Sequence, residues 1–434
     1  MYIKGLLREI YLEPRVVVSA AIEKALETLR ERSGLPLEIE HTPGGSECLT
    51  WLIPPRWLVE EAYISDGQHK IVDHEHHPLY VPPYSEPFEG WVSREELDRH
   101  LFSEPERPAF IPFMVDWELE FRERDWGFSL PDTLRVTLDQ DRYYVCIRTR
   151  VEEYGDLTTG VCRLPGRSKR EILLVTNTCH PGQINDAISG VGVALEVMRR
   201  LRDRPDLRWS YRLLLVPEYL GSAAHLDRHM DQVDHFECAM MLKILGNDAP
   251  FSLQHSSRGT HRIDRIFAHV LRHGYGAYRE EGFREITGND ELFFESQGID
   301  VPCVSLSRCR KITMQDRFFG LFEEYHSSGD EPDRLHEEKL QEAVDLVMAV
   351  IEVFEGDVVP IARFKGPINL YRHDLWLDFD KTQGAGERLN RVMALIDGGK
   401  SAFDLAEETG MYFNDCLLFL KELSRIGYVE FKEP

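Results

Sequence analysis

Several familiar signals are missing from this 434-residue chain. Its eight cysteines (48, 146, 162, 179, 238, 303, 309 and 416) are scattered and include no Cys-x-x-Cys pair. That excludes a cysteine zinc knuckle and argues against a disulfide frame, so reduced thiols in a cytoplasm are expected. No apolar run approaches the roughly 18 residues of a membrane span. The first ten residues, Met1 to Ile10, lack the charged start, apolar core and cleavage site of a secretory leader. Positive charge is scarce: 51 Lys and Arg stand against 75 Asp and Glu, a net charge of −24. Such a surface repels nucleic acid and anionic membranes and favours solubility. No internal repeat and no low-complexity tract is evident.

What is present is the composition of a folded protein, with 42% hydrophobic residues. The length exceeds one ordinary core, so two or three domains are expected. Residues 1–35 hold one apolar-periodic helix from Val16, ended by Gly34-Leu-Pro. Residues 36–130 alternate short β-type runs with turns, which predicts a small β subdomain. Its His74-Glu-His-His77 run reads as a polar turn, with metal binding the alternative. Residues 131–365 alternate strand and helix. Strands are expected at 143–148, 172–176, 211–216, 238–242 and 301–306. Helices are expected at 191–202, 222–230, 262–273, 290–297 and 336–354. This predicts an α/β fold, a mixed sheet with helices on both faces. Residues 366–434 predict three short helices, 387–396, 401–409 and 414–426, and a wing strand at Tyr428-Val-Glu-Phe. Residues 367–434 carry twelve acids against eight bases, so a structural or dimerising winged helix is favoured over a DNA reader.

The chemistry concentrates between Val175 and Gly190. A buried strand precedes the run, an apolar helix follows, and His180 and Asp186 lie on the Gly- and Pro-rich turn between them. Open α/β sheets bind ligands at the C-terminal ends of their strands. Imidazole and carboxylate there are candidate zinc ligands. Glu218 follows the next strand, in Pro217-Glu-Tyr-Leu-Gly-Ser222, and reads as a general base. His326 lies in Tyr325-His-Ser-Ser-Gly-Asp330, between the core and its last helix. Asp290 and Glu291 begin a helix; they either cap it or bind a substrate ammonium group. Arg258 and Arg308 are either surface ion-pair partners or holders of a substrate carboxylate.

Together these residues resemble the zinc aminopeptidases of the di-zinc exopeptidase class. Asn185-Asp-Ala-Ile-Ser-Gly190 matches that family's metal-bridging aspartate turn, and His180 and His326 match its two histidine ligands. Two family carboxylates are replaced: Tyr219 stands where one metal-binding Glu belongs and Lys243 near where an Asp belongs. The resemblance therefore implies one zinc ion on His180, Asp186 and His326, with a fourth position open for water. Motifs such as Trp51-Leu-Ile-Pro-Pro-Arg-Trp57, Tyr84-Ser-Glu-Pro-Phe88, Trp126-Gly-Phe128, Cys179-His-Pro181 and Asn289-Asp-Glu291 extend the resemblance to nearly the whole chain. They are similar to bacterial aminopeptidase-like proteins with an inserted β subdomain and a C-terminal winged helix. The resemblance implies a peptidase-like fold with one zinc and no particular substrate; with the residues above, the reading is a mononuclear zinc hydrolase, aminopeptidase-like, that cleaves an amide bond of a small peptide or amino-acyl substrate. No nucleic-acid or membrane partner is expected, and homo-oligomerisation would run through the winged helix-like domain. Two alternatives are a repurposed peptidase fold that only binds its ligand in a biosynthetic cluster, and a metabolite-sensing transcriptional regulator.

Overall fold

Ile172-Leu-Leu-Val175 is fully buried, as expected of a strand covered on both faces. It forms the middle of the largest sheet in the computed structural model, which describes residues 2–115, 125–310, 320–375 and 384–432. Eight strands build that sheet: β1 (Glu38–Thr42), β2 (Leu157–Leu164), β3 (Glu171–Asn177), β4 (Ser210–Val216), β5 (Phe236–Leu242), β6 (Phe251–Gln254), β7 (Tyr278–Glu281) and β8 (Cys303–Ser307). Their order is β1-β2-β4-β3-β5-β8-β6-β7. The central four, β4-β3-β5-β8, run parallel, with Asn177 opposite Val216 and Val175 opposite Met241. Antiparallel pairs β1/β2, β2/β4 and β6/β8 flank them, so the fold is mixed α/β. Because the central strands are parallel, their C-terminal ends lie on one edge, and His180, Glu218, Lys243 and Arg308 all follow those ends.

The helix after β3, α1 (Ile188–Arg202), is buried from Ile188 through Met198. Its entry depends on Gly190, where an added Cβ would collide with the Leu242 carbonyl oxygen and the Thr176 hydroxyl. Only a hydrogen at that position lets the helix approach the strands so closely.

A second sheet is fully antiparallel, in the order Lys70–Asp73, Arg56–Ser65, Arg142–Glu152, Phe88–Ser93. It corrects two expectations. The strand expected at 143–148 in the large sheet belongs to this small one. The run at 37–40, expected in the β subdomain, is edge strand β1 of the large sheet. Alternation explains the first case: Arg142–Glu152 mixes buried and exposed residues, as a one-sided antiparallel strand does. The His74–His76 run is a single 3₁₀ turn opened by Asp73, whose side chain accepts from the Glu75 amide.

The chain divides into two units, Met1–Ile263 with Ala277–Val344, and Asp264–Gly276 with Asp345–Pro434. The division falls at 345, where 366 was expected. The reason lies in the second unit's own bonds: the Phe403 amide donates to Asp357, and Val359–Ala362 pairs antiparallel with Val429–Lys432. That unit carries the three expected helices, at Ala385–Leu395, Ala402–Thr409 and Phe413–Arg425. Ser401 and Asp404 form a reciprocal capping box, and Gly410 ends the middle helix in the left-handed region, φ 67°. Asp404 and Glu407 of that helix both receive hydrogen bonds from Arg265, at 2.8 and 2.7 Å. Among the described residues no helix is long and apolar enough to cross a membrane.

Candidate metal centre

Three groups converge beyond the C-terminal edge of the sheet. One ligand atom each of His180, Asp186 and His326 lies within 4.8 Å of the others. All three come from the first unit. His180 and Asp186 are 3% and 0% exposed. His180 and His326 sit at φ 71° and 51°, a backbone region that costs a non-glycine residue about 1–2 kcal/mol. Strain of this kind persists only where the surroundings impose it, and it concentrates at functional sites.

The donor set suits zinc. Both Asp186 carboxylate oxygens and His326 Nε2 are buried without a hydrogen-bond partner among the described residues. His326 Nε2 faces Asp186 Oδ2 at 3.1 Å, and Lys243 Nζ stands 3.9 Å from Asp186 Oδ1. An uncompensated buried carboxylate is destabilising by several kcal/mol, so two imidazoles and an unbonded carboxylate aimed at one point fit a divalent cation. Burial pushes the Asp186 carboxyl up, but the Lys243 charge and the adjacent His326 imidazole outweigh it, and the net shift is well downward. The site thus holds its carboxylate ionised, as a metal ligand must be.

Glu218 stands beside this group. Its Oε2 lies 3.2 Å from His180 Nε2, and Oε1 accepts a short hydrogen bond from Asn289 Nδ2. Burial raises the Glu218 carboxyl, yet the His180 bond and the Lys243 charge hold it below its ordinary value. An ionised carboxylate, aimed by Asn289 at an open cavity of ≈ 380 Å³, is the arrangement of a proton acceptor. Cys179, His180 and Glu218 form a second, overlapping group with ligand-like spacing, and there Cys179 Sγ already accepts from the Glu218 amide at 3.2 Å.

The remaining expected site residues lie elsewhere. Asp290 is fully buried: Oδ2 accepts from Asn177 Nδ2 at 2.8 Å and Oδ1 from the Tyr219 amide at 3.0 Å. Burial, with the Glu218 charge, pushes its carboxyl up to about 7. Glu291 is also fully buried, and its Oε1 accepts from Gln254 and from the Asn289 amide. Neither carboxylate lines the cavity. Arg258 is exposed on the Ser256–Gly259 turn and does not line the cavity. Arg308 is buried and bonded to the Ala249 carbonyl and to Glu342, with its guanidinium 3.7 Å from the centre of the Phe251 ring. Its contacts are structural.

Sequence reasoning missed the residues that hold the loop in place. The Asp330 carboxylate accepts the Asn185 and Asp186 amides, both at 2.9 Å. Burial first, then the Asp186 charge, raises its carboxyl to about 8. Arg15 is fully buried and donates to the carbonyls of Thr178, Cys179, His180 and Gln183 at 2.6, 2.8, 3.0 and 3.2 Å. Phe113 packs against both imidazoles, with ring centroids 5.2 Å from His180 and 5.4 Å from His326. Asp330 was within reach, since it ends the run that contains His326. Arg15 carried one signal, a lone charge beside Val16-Val-Val18.

A third group, Glu40, His225 and His229, also has ligand-like spacing. Glu40 accepts from both imidazoles at 3.2 and 3.1 Å and lies 3.4 Å from Arg228. His225 Nε2 faces Arg212 Nη1 at 3.2 Å. With its lone pairs used and arginines alongside, it is a closed polar cluster.

The parallel-centred mixed sheet has the fold found in zinc exopeptidases. The zinc aminopeptidase of Bacillus subtilis shares it, with a TM-score of 0.57, 14% identity, and 81% of this chain and 93% of that one covered. The chain itself belongs to the family described as "Domain of unknown function (DUF4910)", whose model matches residues 4–357. A Clostridium acetobutylicum protein, named for polysaccharide biosynthesis and an aminopeptidase-like domain, is 28% identical over 421 residues, 95% of this chain and 92% of its own length. A crystal structure from the same organism, described as a peptidase, superposes with a TM-score of 0.88 at 26% identity, covering 99% of this chain and 96% of that one.

Proposed function

We propose that this protein is a hydrolase of small amide substrates, aminopeptidase-like in mechanism, working with one zinc ion held by His180, Asp186 and His326. The observation that carries the reading is the convergence of three potential ligand groups, each with a buried atom lacking a hydrogen bond, beside a cavity lined by His180, His326 and the Glu218 carboxylate. A zinc ion there would lower the pKa of a water molecule and polarise a carbonyl. Glu218 takes the proton of the attacking water and passes it to the leaving nitrogen, while Asn289 holds its other oxygen still. Asp330 and Arg15 fix the loop that presents His180 and Asp186. Lys243, beside Asp186, supplies positive charge where a second ion would otherwise be drawn, which supports a count of one. A cavity of ≈ 380 Å³ suits a small substrate.

The eight free, buried thiols support a reducing, cytoplasmic setting. The second unit's three helices and paired strands support a winged helix-like domain, and its middle helix has two acids tied to Arg265, which favours a structural or self-associating role.

Metal analysis of purified protein, with turnover of an amino-acyl and N-acyl amide panel, tests this. About one zinc per chain is expected, and Glu218→Gln should lose about 10²–10⁴-fold in kcat with zinc retained. A zinc-free protein with full activity, or an unimpaired Glu218→Gln, refutes it.

A further inference from the structure

We infer that the substrate is an amide bearing a carboxylate, such as an N-acyl amino acid, and that Arg284 holds that carboxylate. The inference deepens the hydrolase reading and rests on it for the amide.

The cavity's charges point this way. Among the described residues lining it, Glu218 is the one carboxylate, whereas Lys243 and Arg284 are permanent cations. Glu218 already faces His180 and Asn289. Among the described residues an incoming ammonium group meets no other carboxylate at this cavity, because Asp290 and Glu291 are fully buried and neither lines it. An aminopeptidase that recognised a free amine would need the opposite arrangement.

The two cations differ in availability. Lys243 is 3% exposed and turned toward Asp186. The Arg284 side chain is 31% exposed at the cavity wall. One of its nitrogens, Nη1, donates to the Asn289 carbonyl at 3.1 Å and lies 3.5 Å from Glu291 Oε1. The Tyr219 phenol also bonds the guanidinium. A guanidinium has five N–H donors in a fixed fork, so donors remain for a carboxylate, which the fork matches in two parallel bonds.

The backbone keeps the guanidinium in place. Arg284 itself sits at φ 58°, a conformation that disfavours any residue with a side chain. Across from it, a Cβ added at Gly288 would collide with Arg284 Nη2, so the bare glycine makes room for the fork. Gly288 and Thr287 line the same cavity, and the Gly288 carbonyl accepts from the Tyr219 hydroxyl at 3.3 Å. Arg284, Gly288 and Tyr219 thus form one wall, with a donor fork next to a phenol.

Calorimetry on the full-length, zinc-loaded Glu218→Gln protein tests the inference, with N-acetylglycine as the carboxylate probe and glycinamide as the ammonium probe. N-acetylglycine should bind at least about 10-fold more tightly. Arg284→Gln and Gly288→Ala should each weaken it roughly 10- to 100-fold, and Arg284→Lys less, since charge remains and the fork is lost. Zinc content and melting temperature show whether each variant is intact, and Gly288→Ala gives a second route if Arg284→Gln folds poorly. Tighter glycinamide binding, binding of neither probe, or N-acetylglycine affinity within about twofold of the parent in both intact variants overturns the inference. Selective N-acetylglycine binding with no hydrolysis by the wild type would instead refute the hydrolase reading and leave the carboxylate site standing.

Discussion

Replacing Arg15 by methionine should show how the His180 loop is held. The guanidinium is fully buried and donates to the Thr178, Cys179, His180 and Gln183 carbonyls, and on its other side to the Ile10 carbonyl at 3.0 Å. Methionine fills similar space but donates nothing, so several buried carbonyls lose their partner. Each stranded group costs about 1–3 kcal/mol, and because neighbouring losses do not add fully, about 4 kcal/mol in total is a reasonable expectation. Unfolding entropy of about 2.1 cal/mol/K per residue gives about 0.9 kcal/mol/K for a chain of 434 residues. The melting temperature should then fall by about 4–5 °C. Zinc occupancy should fall as well, since the loop carrying His180 loosens. Scanning calorimetry and metal analysis of Arg15→Met and Arg15→Lys measure both effects. The lysine, with three donors, should recover part of the loss. A methionine variant that melts within about 1 °C of the parent and retains its zinc would refute the argument.

Gly190→Ala should be severely destabilising, by more than about 3 kcal/mol, because the added methyl meets the Leu242 carbonyl; a denaturant midpoint unchanged from wild type would contradict this. Acid should weaken the protein through the Glu40 cluster. Glu40 is lowered to about 2, with burial opposing and the His225 and His229 bonds prevailing, so its stabilisation is present above 4.5 and lost as pH falls toward 2. His225 is lowered to about 4, chiefly by burial, so its neutral form adds stability above 6.5 that is lost as pH falls through 4. Both losses have the same sign, on the order of 2–3 kcal/mol together, and Glu40→Gln should flatten the acid limb of stability between about pH 4.5 and 2 while the burial-driven His225 loss at higher pH persists. Lys243→Met should lower the stability of metal-free protein, because Asp186 loses a neighbouring cation, and added zinc should restore more of it than in wild type; equal zinc responses would argue against Lys243 as a charge substitute.

The large sheet was legible wherever strands were continuously apolar, as at Ile172–Val175 and Leu213–Val216. Strands with weaker patterns were not. Tyr278–Glu281 reads Tyr-Arg-Glu-Glu, and its place at the edge comes from pairing with Phe251–Gln254. His180, Asp186 and Glu218 were legible because each follows a buried run, and strand ends are ligand positions. Asp290 and Glu291 were noticed by type, but sequence does not show which way an acid turns at a helix start, and here both turn inward. Arg15 and Asp330 act across long separations through backbone carbonyls and amides, which leave no pattern in side-chain identity. Arg258 and Arg308 show the converse: a suggestive residue type in a place that folding puts to other use.

Phe113 ties the subdomain side of the chain to the last imidazole. Its amide donates to the His326 carbonyl at 2.9 Å, Pro112 bridges Ser327, and the Ile111 amide donates to Ser328 Oγ across 217 residues of sequence. Arg107 adds a bond to the Tyr325 carbonyl at 2.8 Å. Contacts of such separation require the chain's large loops to close first, so a late place in folding is expected of them. The three proposed ligands would therefore converge only at the end of assembly. Cobalt in place of zinc would then act as a clock for refolding, its visible absorbance appearing after the helices have formed and the strands have paired.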